Sequence, residues 1–334
     1  MRKIRIWILG LLVLLLAAPF FSASIAKAGE IRAAGVYTTP LEEPFINNIH
    51  QAFLRAEKEM GITYDHTEKV GPADFERVLR EYASRGYRMI CVDASGHEEM
   101  ARRVAKDFPD VAFLATCDLG PVAPNFYASG MQTHEATYLA GIVAGSLTKT
   151  NVIGIVAAYP VPMTNRHLNG FILGVKEINP KAKILLTYIS SWFDPPKAKE
   201  ASMAQIESKA DVLYAERYGV IEACQKKGVL AIGQIADQNS LAPETVVTSS
   251  MWYPWPSIQK VLLDVKENRI GRPDTALDLR QWNMILKDGC GLAPFHGFED
   301  KLPKKLKSAI TDRIQKIKSG MLIIPINSGT PKLD

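Results

Sequence analysis

The sequence predicts an α/β protein of two lobes, each a parallel β-sheet flanked by helices, with a ligand cleft between them. Short apolar, β-branched runs alternate with amphipathic stretches along nearly the whole chain, and such alternation implies parallel strands crossed over by helices. The pattern also runs twice, and the stretch from Tyr127 to Pro180 joins the two runs. Within it Ala136, Leu139, Ala140, Val143, Ala144 and Leu147 recur at three- and four-residue steps, one face of a helix. NVIGIVAA then follows as a short run of buried-strand type.

The first 28 residues stand apart. MRKIR is a basic head, IWILGLLVLLLAAPFF an apolar middle, and Ala26-Lys27-Ala28 a small-x-small cleavage site. The apolar run is short for a span of roughly 20 residues and ends in Pro19, so a cleaved signal peptide is expected over a membrane anchor. No second long apolar segment follows, and the mature protein is expected to be soluble and exported. The expected division is 1–28 signal peptide, 29–131 first lobe with about 250–280 returning to it, and 132–249 second lobe with about 281–334.

In order, the first lobe reads as strand IRAAGVY, a Pro-punctuated loop, and helix FINNIHQAFLRAEKEM closed by Gly61. Strand ITYDHTEKV, helix ADFERVLREYASRGY, strand RMICVDA, helix HEEMARRVAKDFP and strand VAFLAT follow. In the second lobe strands are expected at NVIGIVAA, KILLTYIS, DVLYAE and VLAIGQ. Helices are expected at MTNRHLNGFILGVKEIN, PPKAKEASMAQIESK and YGVIEACQKKG. TVVTSSM reads as the return path to the first lobe, and LDVKENRIGRPDTA and PKKLKSAITDRIQKIKSG as further helices. Without a flexible Gly/Ser linker, several short crossings are expected to join the lobes.

Composition narrows the function classes. The formal charge is +5, but Arg2, Lys3, Arg5 and Lys27 belong to the leader. The remainder is nearly neutral, which gives no reason to expect nucleic acid as a partner. Cys91, Cys117, Cys224 and Cys290 form no CxxC pair, and buried thiols are expected. There is no G-x-S-x-G elbow, no H-E-x-x-H and no phosphate-binding G-x-x-x-x-G-K-[ST] loop. Gly289-Cys290-Gly291 begins like a dinucleotide fingerprint but meets Pro294 where a third glycine belongs. The six histidines make no helical metal pair. No catalytic residue, metal or cofactor is expected.

Ligands of open α/β sheets sit beyond the C-terminal ends of the strands. Those loops hold Thr38-Thr39 with Phe45 and Asn47, Asp93, Asp118, Tyr159, Trp192-Phe193-Asp194, Glu216-Arg217-Tyr218, Asp237-Gln238 and Trp252-Tyr253. Aromatics among carboxylates and amides suit a planar heteroaromatic ligand, with rings stacking on its faces and polar groups fixing its edge.

The segments EATYLAGIVAGSLTKTNVIGIV, NGFILGVKEINPKAKI, WFDPPKAKEAS, ADVLYAE and KGVLAIGQIADQ together resemble the basic membrane protein (BMP) family of ABC-importer solute-binding proteins, from about Ile31 to Gly320. The resemblance implies a type I periplasmic-binding-protein fold, no enzymatic activity, a purine nucleoside or nucleobase as ligand and an inner-membrane ABC permease as partner. It implies that Phe45 and Trp192 or Phe193 stack on the base, that Asn47 and Asp118 contact its edge, that Glu216 lines the far wall, and that Asp237 stands near a ribose. This chain departs from the family at TTPLEEPFINN, where the family's aspartate is missing and its role passes to Thr39 or Glu42. It departs again at Met251-Trp252-Tyr253, where nucleoside binders place a lysine. Trp252 is therefore expected to fill the ribose space, favouring a free base such as adenine. No lipobox cysteine stands at the cleavage site, which suits a soluble periplasmic form over a lipoprotein; a monomer is expected. The alternatives are a sensor subunit presenting the same fold to a membrane signalling receptor, and a nucleoside or sugar hydrolase.

Overall fold

The computed structural model describes residues 30–94, 96–118 and 120–333. The expected signal peptide and its cleavage site lie outside the described residues. Five strands make the first sheet: β1 (Arg32–Val36), β2 (Thr63–Thr67), β3 (Met89–Val92), β4 (Ala112–Ala115) and β5 (Phe126–Ala128). They are all parallel, in the order β2-β1-β3-β4-β5. Between them run α1 (Pro44–Met60), α2 (Pro72–Ser84) and α3 (Glu98–Asp107). The entry to α1 is built by sequence: Glu43 accepts hydrogen bonds from the Phe45 and Ile46 N–H groups, with Pro44 in the first turn. Gly61, at φ 65°, ends the helix.

The second half repeats the plan. α4 (His134–Leu147) leads to β6 (Val152–Ala157), α5 (Pro162–Ile178), β7 (Lys183–Tyr188), α6 (Pro195–Glu207), β8 (Val212–Ala215), α7 (Val220–Lys227) and β9 (Leu230–Ile235). β10 (Val246–Trp252), α8 (Trp255–Lys266), β11 (Cys290–Leu292) and α9 (Lys304–Lys318) complete it. The second sheet has the order β11-β10-β9-β8-β6-β7, parallel except for the antiparallel edge strand β11. α4 and α5 touch backbone to backbone: a Cβ on Gly174 would lie 2.0 Å from the Tyr138 carbonyl oxygen, and one on Gly141 2.0 Å from that of Phe171.

Two expectations change. TVVTSSM is not merely a return path but most of β10, hydrogen-bonded within the second sheet; Tyr253 and Pro254 make the return. The helix expected over LDVKENRIGRPDTA begins earlier, at Trp255, because Pro254 and Pro256 suit a helix start. It stops at Lys266, and Asn268 and Gly271 both take positive φ beyond it. Gly289–Pro294, with no nucleotide role expected, supplies the edge strand β11.

α8 packs with α1 and the first sheet through Ile258, Val261, Leu262 and Val265, whereas α9 packs on α4 through a core that includes Leu306, Ile310 and Ile317. The chain thus passes between the sheets at 129–133, at 253–254 and between Leu279 and Gly289. Asn283, wholly buried, joins these crossings. Its Oδ1 accepts from Trp252 Nε1, and its Nδ2 donates to Ser129 Oγ and the Gly130 carbonyl, each at 3.2 Å. Beyond α9, residues 321–333 run along α4 and α5. Ile324 enters the second core and its carbonyl accepts from His134 Nε2, while Asn169 Nδ2 donates to the carbonyls of Asn327 and Gly329. All four cysteines are buried thiols, none in a disulfide.

Candidate functional site

Both sheets have the strand order that places a crevice at the carboxyl ends of their inner strands. A cavity that opens to solvent lies there, with about 40 Å³ of room for water-sized groups. After β1 it is lined by Thr38, Thr39, Glu43 and Phe45, and after β3 by Asp93. From the second half come His167 on α5, Trp192 after β7, Glu216 and Arg217 after β8, and Gln234 and Ile235 at the end of β9. Met131 and Met163 close it between them.

The charged groups form one linked set. Arg217 is buried and lies over the Trp192 ring, its guanidinium carbon 5.7 Å from the centroid. Its Nε donates to Glu216 Oε2 at 2.9 Å, its Nη2 to Glu216 Oε1 at 3.2 Å, and its Nη1 to the Trp192 carbonyl. The same Nη1 lies 4.0 Å from Oε1 of Glu43, in the other half of the molecule. Burial raises the Glu43 carboxyl to about 7, although Arg217 and the two capping N–H groups pull the other way. Burial likewise raises Glu216, against Arg217 and the Ala158 N–H. Asp93 accepts from the Thr38 hydroxyl. His167 is held neutral, pushed down to about 3 by burial and Arg166, and its Nε2 donates to the Met131 carbonyl.

Of the residues expected to hold a ligand, the cavity brings together Thr39, Phe45, Trp192 and Glu216. Trp252 does not enter it. The residue is 1% exposed and its indole stacks behind Phe45, ring centroids 5.0 Å apart and planes 12° apart, so it props the cavity ring from behind. Phe193 stacks on Tyr218 away from the cavity wall, at 6.0 Å. Asn47 is exposed and donates to the Leu41 carbonyl. Asp118 pairs with buried Arg166 at 2.7 Å, bridging the loop after β4 to α5. Asp237 pairs with His296 at 2.7 Å, outside the lining. Glu42, one candidate for the vacant aspartate role, is exposed; its neighbour Glu43 turns inward because the helix start needs a capping acceptor. The signal for Glu43 was its place directly before Pro44.

Gln234 and Ile235 escaped the sequence reading altogether, while Asp93 and Arg217 were noted only as members of strand-end loops, without a ligand role. Ile235 has φ 70°, rare for a β-branched side chain. Its carbonyl accepts from Asn48 Nδ2 of α1 at 3.1 Å, so a strained backbone turn at the cavity is tied to the opposite half. Among the described residues, no group of three or more His, Cys, Asp and Glu side chains is placed to hold a metal ion, and no helix is long and apolar enough to cross a membrane.

Two parallel-sheet lobes around a cavity, each lobe supplying walls from the carboxyl ends of its strands, define a type I periplasmic-binding-protein fold. The chain belongs to the Bmp family, ABC transporter substrate-binding proteins of PnrA-like type, whose model matches residues 39–269. A putative ABC transporter glucose-binding protein of Haloferax volcanii is 30% identical over 66% of this chain and 58% of its own length. A purine-binding protein of Brucella abortus is 30% identical over 55% of this chain and 53% of its own. The chain therefore spans a little over half the length of these curated relatives. A solved solute-binding protein of an ABC transporter system from Conexibacter woesei superposes with a TM-score of 0.71, at 24% identity, over 89% of this chain and 99% of its own.

Proposed function

We propose that this protein is the exported receptor of an ABC importer and binds a purine-type ligand, a free nucleobase such as adenine, between two lobes that close on it. It then presents the ligand to a membrane permease without chemical change. The carrying observation is that Phe45 from one half and Trp192 from the other line a single cavity whose polar walls are carboxylates, an amide and an arginine. Rings can stack on a planar base, while carboxylates accept its N–H groups and the guanidinium serves a ring nitrogen.

The preference for a base over a nucleoside rests on a different feature from the one the sequence suggested. Trp252 is behind the wall, but Asp237, the expected ribose partner, is engaged by His296, and apolar Ile235 stands in the lining. The lobes in this reading are 29–131 with about 250–280, and 132–249 with about 281–334; the packing of α8 and α9 supports that division. Closure works by differential binding, since only the closed state lets both lobes touch the ligand.

Calorimetric titration of refolded, ligand-stripped protein with adenine and adenosine tests the reading. Adenine is expected to bind the more tightly, and Phe45→Ala and Trp192→Ala each to weaken it at least about tenfold. Unchanged adenine affinity in both variants removes the site, and tighter adenosine removes the preference.

A further inference from the structure

Gln234, in β9, lines the cavity and is 4% exposed. Its side-chain amide lies beside the Glu216 carboxylate and favours its charged form. Its Oε1 has no hydrogen-bond partner among the described residues. Burying an amide oxygen unpaired is costly, so this atom calls for a donor beside the cavity that Gln234 lines.

Turning the amide round does not meet that need. The Glu216 carboxylate is surrounded by donors: the Ala158 N–H at 2.9 Å, Arg217 Nε at 2.9 Å and Arg217 Nη2 at 3.2 Å. A reversed Gln234 would set its oxygen against a carboxylate oxygen and leave its NH₂ facing the cavity. The backbone fixes the residue as well, because the Gln234 N–H donates to Gln238 Oε1 at 3.0 Å. Two more cavity carboxylates, Glu43 and Asp93, make the lining rich in acceptors.

We infer that Gln234 Oε1 accepts a hydrogen bond from an exocyclic amino group of the ligand, and that this residue selects amino-bearing heterocycles against their keto counterparts. The inference deepens the nucleobase reading and rests on its placement of a heterocycle in this cavity. An amino group supplies the missing donor. A keto oxygen at the same place sets two acceptors, its own and Gln234 Oε1, against each other and leaves both unpaired, the kind of mismatch by which polar sites discriminate strongly.

The test is calorimetric titration of the stripped, refolded protein with adenine, unsubstituted purine, hypoxanthine, cytosine and uracil, in wild type and Gln234→Met. Methionine keeps the length of the side chain and removes its acceptor. Wild type is expected to bind adenine at least about tenfold more tightly than hypoxanthine, with purine between them. In Gln234→Met the adenine-to-hypoxanthine ratio is expected to fall to within about threefold. The wild-type series stands even if the variant fails to fold. Equal binding of adenine and hypoxanthine, or a preference unchanged in Gln234→Met, overturns the inference while leaving the purine reading in place. Binding of cytosine over uracil without any purine, erased by the same variant, discards the purine and keeps the role of Gln234. Binding of none of the five overturns both.

Discussion

Arg217 and Glu43 face each other across the cleft, Nη1 4.0 Å from Oε1, both side chains buried and each committed to its own half of the molecule. Glu43 holds the first turn of α1; Arg217 grips Glu216 and the Trp192 loop. The pair therefore reports on closure and on the order of both cavity walls together.

Its titration gives the first prediction. The Glu43 carboxyl is raised from 4.5 to about 7, chiefly by burial. A group with a raised folded pKa contributes stability that is complete below its unfolded value and is lost as pH climbs through the folded one. Wild type should thus lose stability relative to Glu43→Gln between about pH 4.5 and 7, by at most a few kcal/mol. Urea denaturation at half-unit pH steps checks this, and parallel profiles for the two proteins would refute it.

Trp252 and Trp192 should separate stability from binding. Trp252 is buried against Phe45, and Trp252→Ala is expected to cost about 3–5 kcal/mol in denaturant unfolding. Trp192 is half-buried on the cavity wall, and Trp192→Ala should cost far less stability while weakening the ligand. A large loss of stability in Trp192→Ala would assign that ring to the core.

Asn283 gathers the three crossings. Asn283→Ala leaves the Trp252 indole N–H without its acceptor, at about 1–3 kcal/mol for the buried group. Hydrogen exchange should show faster opening at 129–133 and 253–254 together. Opening confined to one crossing would mean that the crossings are not coupled through this side chain.

Gly174→Ala tests the contact between α4 and α5. The added methyl would sit 2.0 Å from the Tyr138 carbonyl oxygen, a backbone atom that cannot rotate away. A loss of about 3 kcal/mol is expected, at the upper end for overpacking. Thermal unfolding measures it, and an unchanged midpoint would show that the helices separate freely.

Much of the fold was legible because both sheets are buried on two faces, so that runs such as AFLA and VIGIVA declare themselves as strands. β11 was not, since CGL carries too little apolar character and depends on pairing with β10. In the cavity, Phe45, Trp192 and Glu216 could be found from their positions just beyond strands. Direction could not. Trp252 and Asp237 also stand at strand ends, yet one turns into the core behind Phe45 and the other outward to His296. Gln234 lay inside a strand, and only its uneven hydrogen bonding exposes it.

The segment 321–333 lies over α4 and α5, and Ile324 fills a place in the core of the second half. Ribosomes make chains from the amino end at about 5–20 residues per second. All five strands of the first sheet therefore exist long before the second core can close. Until Ile324 is made, its place in that core is unfilled.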